Sequence, residues 1–132
     1  PGYRRLFVDY LRDYARSENK TVFLTSHIIQ DMERLIDDCI IMDYGSILIQ
    51  QPIETLMKGL RKYTCTVPEG YQPQLPVTCY HPAVIRQTLE TYSFLPPSDV
   101  EGLLKENQVP FTGLQHENVG LEDAFIGLTG KY

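Results

Sequence analysis

Tryptophan is absent from this 132-residue chain, and cysteine occurs three times, at Cys39, Cys65 and Cys79. The three form no C-x-x-C pair and no His-rich spacing, which excludes the common zinc signatures. Cys39 opens the apolar run "CIIMDYG" and reads as a buried, reduced thiol. Cys65 and Cys79 fall in short β-like segments, so the expectation is three free thiols in a reducing compartment. No apolar run reaches the roughly 18 residues of a membrane-spanning helix, and there is no signal-peptide pattern. A basic excess is missing too: twelve Lys and Arg face seventeen Asp and Glu, for a net charge of −5. Nucleic-acid binders draw much of their affinity from neutralising phosphates, so no nucleic-acid partner is expected. An initiator Met is also lacking, and the helix-like opening "PGYRRLF" leads us to expect a piece of a longer protein.

What is present is ordinary for a globular protein: 42% hydrophobic and 22% charged residues. The length allows one average domain or two small ones. From Tyr3 to Ala15, Leu6, Phe7, Tyr10, Leu11 and Tyr14 recur at helical spacing. That pattern predicts an amphipathic helix with Arg4, Arg5, Asp9, Arg12 and Asp13 on its wet side. Thr21–Thr25 is a short continuous apolar run, expected as a strand covered on both faces, as in a parallel sheet. A second amphipathic helix is expected over Ile28–Ile36. "CIIMDYG" and "SILIQQ" read as the two arms of a hairpin, followed by a short helix from Pro52.

The composition shifts near Tyr63. "YTCTV" and "PVTCY" read as short β segments, and "HPAVIRQTLETY" has a helical pattern. A better helix follows in "PPSDVEGLLKENQ", where Ser98 and Glu101 have capping-box spacing. "VPFTGLQHE" reads as a strand, and "VGLEDAFIGLTG" as a last helix with Leu121, Phe125 and Leu128 inward and Gly130 at its end. The fold class expected is α/β: residues 1–62 as the end of a larger α/β domain, residues 63–132 as a small α+β module with a terminal helix.

One residue stands out chemically. His27 follows the strand-like "VFLTS" and precedes a helix, at the edge where open α/β sheets bind ligands. Judged locally, it is either a packing or capping residue or a group that hydrogen-bonds a phosphate or a polarised water. Ser26 reads as a cap of the same helix. His81 and His116 read as structural residues, and Asp43 as a turn residue at the end of its strand.

The flanks of His27 carry a family pattern. Lys20-Thr21, "VFLTSH", the acidic Asp31 and Glu33, "IIMDYGSILIQ" and "QPIETL" together resemble the segment after the Walker B motif in ATP-binding cassette (ABC) transporter ATPases. The departure is Gln51, where the family usually has Gly. "PGYRRLF" resembles the residues after the D-loop, and "LEDAFIGLTGKY" resembles the tail of many export-type members. Residues 63–118 resemble the family in layout alone, as a variable C-terminal extension. The resemblance implies the C-terminal part of a P-loop NTPase fold, with His27 as the switch histidine that contacts the γ-phosphate of ATP and the attacking water. It implies ATP and Mg as cofactors of the full-length parent, with a membrane permease and a second ATPase subunit as partners. The implied location is cytoplasmic, at the inner face of the membrane.

The chain itself contains no G-x-x-x-x-G-K-[ST] loop to cradle phosphates, and no Leu-Ser-Gly-Gly-Gln-type signature. The expectation is therefore that this piece alone neither binds nor hydrolyses ATP, and that it self-associates through uncovered strand surface. The alternative reading is a non-enzymatic regulatory or dimerisation module, with residues 63–118 making the functional contact.

Overall fold

The computed structural model describes residues 2–23 and 32–130. By contact density the chain divides into two compact units, residues 1–54 and 55–132. That division falls ahead of the 62/63 boundary expected from composition.

In the first unit, helix α1 spans Gly2–Ser17. A single 3-10 turn follows at Met32–Arg34, then strands β1 (Asp38–Asp43) and β2 (Ser46–Pro52). The two strands form an antiparallel ribbon in which Asp43 faces Ser46 across a two-residue turn. Tyr44 and Gly45 in that turn have φ of 50° and 77°. Both values suit the primed turns whose twist matches paired strands. Gly adopts this region freely, and Tyr44 at the first position is the unusual residue. Cys39, Ile41 and Ile49 are buried.

Three expectations for this unit need correction. Thr21–Phe23 are not in a strand, and Phe23 is 85% exposed. The rest of that predicted strand and the start of the next helix lie outside the described residues, and Met32–Arg34 form one 3-10 turn in place of an α-helical end. The apolar stripe of α1 is also turned outward: Leu6, Phe7, Tyr10 and Tyr14 are exposed, while Val8 is buried. Periodicity fixes which residues share a face of a helix, whereas the neighbouring layer decides which face is covered.

The second unit is built on an antiparallel sheet of strands β3 (Arg61–Thr66), β4 (Tyr80–Ile85), β5 (Thr88–Ser93) and β6 (Thr112–Asn118), in the order β4-β5-β3-β6. Helix α2 (Ile53–Gly59) leads into it, α3 (Pro97–Glu106) joins β5 to β6, and α4 (Leu121–Thr129) closes the chain. The architecture mixes α and β as expected, but every sheet among the described residues is antiparallel.

The pleat of β3 and β5 explains how two helices use one sheet. Tyr63 pairs with Thr91 and Cys65 with Leu89, and these alternate residues share one face. There Tyr63, Cys65 and Leu89 pack with Val67, Val100, Leu104 and Val109 in the main buried cluster, so α3 covers this side. Lys62 pairs with Tyr92 and Thr64 with Glu90 on the opposite face. Helix α4 lies on that side against Tyr92. Each fully buried Leu or Val in such a core contributes about 1.5–3 kcal/mol by leaving water.

The segment "HPAVIRQTLETY" is a hairpin and not a helix: Ile85 faces Thr88 across Arg86-Gln87. Arg86 sits at φ 58° in the turn, so the usual Gly or Asn signal is missing there. The capping box is also absent, because α3 starts after Pro96 and Ser98 lies inside its first turn. Pro97 at the first helical position presets φ, and its missing N–H would have been unpaired there anyway. The terminal helix ends as predicted, with Gly130 left-handed at φ 73° and its N–H bonded to the Ile126 carbonyl.

Candidate functional site

The residue singled out for chemistry, His27, lies outside the described residues, as do Ser26 and Asp31. Its described flanks give a partial frame. Lys20 and Thr21 are exposed just beyond α1, and Lys20 N–H bonds back to the Ala15 carbonyl at 2.9 Å. Downstream, Asp43 ends β1 beside its turn and pairs with Ser46, which agrees with a turn role. Ile53 N–H bonds to the Asp37 carbonyl at 2.9 Å, tying the end of the ribbon to its start.

The other two histidines are fully visible, and each has a structural partner. The ring of His116 lies 5.9 Å from that of Tyr63. His81 Nε2 is 3.0 Å from the carbonyl of Leu128 in the last turn of α4. Helix C-termini leave carbonyls without intrahelical donors and carry a partial negative charge. A ring N–H of His81 therefore caps α4 from β4. An added Cβ at Gly130 would come within 2.7 Å of the same ring, so glycine is needed there for space as well as for its positive φ. One helical turn earlier, a Cβ at Gly127 would stand 2.5 Å from the Tyr92 ring. Sequence reasoning missed this contact; its signal was a glycine inside an otherwise apolar helical pattern.

Beside this junction lies a hollow of about 270 Å³, lined by His81, Glu90, Tyr92 and Gly127 among others. Glu90 on its wall is paired with Lys62 at 3.5 Å. These groups are already engaged in holding α4 and the sheet together, and the arrangement is a structural joint. No cluster of His, Cys, Asp or Glu suited to a metal ion occurs among the described residues. No helix among them is long and apolar enough to cross a membrane.

The buried polar chemistry of the second unit is likewise structural. Tyr63 Oη donates to the Leu95 carbonyl at 2.6 Å, Ser93 Oγ to Thr78 at 2.8 Å and Thr91 Oγ1 to Tyr80 at 2.9 Å. Burial raises the Tyr63 phenol above its ordinary range, with Arg61 opposing the rise. Burial also pushes up the thiols of Cys39, Cys65 and Cys79, and all three are free. A raised thiol holds little thiolate near neutral pH, which makes these cysteines poor nucleophiles.

No protein-family model matches the chain. Among curated proteins it is similar to the Nod factor export ATP-binding protein I of Ralstonia nicotianae, with 31% identity covering 99% of this chain and 43% of that protein. The protein of the same name from Burkholderia lata is 28% identical, again over 99% of this chain and 43% of the relative. The bacitracin transport ATP-binding protein BcrA of Bacillus licheniformis is 36% identical over 53 residues, which is 40% of this chain and 17% of that protein. The chain's homologues along its full length are thus ATP-binding proteins of ABC transporters, whose fold is that of P-loop NTPases. It matches their C-terminal part and spans less than half the length of the full-length matches.

Proposed function

We propose that this chain is the C-terminal part of the ATP-binding subunit of an export-type ABC transporter. In the parent, ATP hydrolysis at Mg-ATP would drive transport through a separate membrane permease, with two ATPase subunits acting together at the inner face of the membrane. The observation that carries this reading is similarity along 99% of the chain to a protein named as an export ATP-binding protein. The motif order around His27 supports it independently: Lys20-Thr21, the apolar run, His27, and the "IIMDYGSILIQ" ribbon.

His27 is the residue we assign to catalysis, as the switch histidine that hydrogen-bonds the γ-phosphate and the attacking water. Phosphoryl transfer is accelerated mainly by positioning and by stabilising spread charge, and an imidazole donor can supply both. In the parent, His27→Ala should lower ATP hydrolysis by orders of magnitude while leaving subunit assembly intact. Unchanged hydrolysis would remove His27 from the mechanism. The 132-residue chain by itself should not bind ATP, because it has no phosphate-cradling loop. Micromolar ATP affinity in calorimetry would contradict that reading.

A second reading is compatible with the first. Residues 55–132 have their own buried cluster and closed secondary structure, which supports a regulatory or dimerising role for this unit. Disrupting α3, for instance with Leu104→Asp, should then impair assembly more than hydrolysis. In the isolated chain, the exposed Phe7, Tyr10, Met42 and Ile47 favour self-association, since apolar surface gathered in one unit attracts other copies.

A further inference from the structure

We draw no further inference here: the strongest candidate, the exposed apolar stripe of helix α1 formed by Leu6, Phe7, Tyr10 and Tyr14, carries nothing because nothing in the structure shows what covers it.

Discussion

In residues 1–54 the large apolar side chains of Leu6, Phe7, Tyr10, Met42 and Ile47 face solvent, whereas in residues 55–132 Leu56, Leu60, Tyr63, Leu89, Val100 and Leu104 are sealed almost completely. The chemistry of the two sets is similar, so hydrophobicity alone does not separate them. The difference is in layers. The second unit puts helices on both faces of its sheet, while the described residues of the first form one α-helix, a 3-10 turn and a two-stranded ribbon, which bury few of their apolar side chains. The second unit thus has a buried cluster of its own, whereas the first leaves several large apolar side chains exposed.

The strongest way to break the comparison is to cut matching apolar side chains in the two units. Leu104→Ala should destabilise the second unit by about 2–5 kcal/mol, because a buried truncation loses transfer energy and leaves a cavity. Phe7→Ala, at a residue 57% exposed, should change stability by no more than about 0.5 kcal/mol. Urea unfolding followed by circular dichroism measures both, and equal effects would erase the distinction.

A smaller effect is expected at the joint between α4 and the sheet. Gly127→Ala drives a methyl into the Tyr92 ring and should cost about 1–3 kcal/mol. Adding Tyr92→Leu should recover part of that loss, because it removes the obstructing ring. If the double variant is simply additive, the contact is not what makes Gly127 necessary.

Tyr63→Phe deletes the hydroxyl that donates to Leu95 and should cost about 1 kcal/mol, the usual net worth of one such bond. The smallest effect is a pH dependence. Burial raises the Cys79 thiol, so the folded state retains a proton that the unfolded chain releases. Its contribution is complete below the ordinary thiol range of about 8.5 and is lost as pH climbs through the raised value. Cys79→Ala should therefore flatten the decline of Tm at alkaline pH. Its variant should also lose one slowly alkylated thiol, seen by mass spectrometry after brief denaturation.

Much of the second unit was legible in the sequence, and its misreadings have physical causes. The helix ending at Gly130 was marked by the glycine that its left-handed cap favours, as Gly45 marked the tight "DYGS" turn of the first unit. The β4–β5 hairpin was hidden because its turn uses Arg86-Gln87, and because Val84, Leu89 and Tyr92 suit either period. The contact of Gly127 with Tyr92 joins two segments far apart in sequence, so the glycine inside α4 could signal a close approach but not its partner. In the first unit, spacing correctly gave a helix but not the direction in which it faces. For the candidate site, local propensity alone leaves His27 as a packing residue; the motif order around it is what raises the assignment, and His27 itself lies outside the described residues.

The contrast between a closed unit and an open one is tested most directly by native-state hydrogen exchange on the 132-residue chain. Amides of β3, β5 and α3 should exchange only through global unfolding, while those of α1 and the β1–β2 ribbon exchange through local opening of much lower free energy. Equal protection across both units, lost in a single cooperative step with denaturant, would contradict this account.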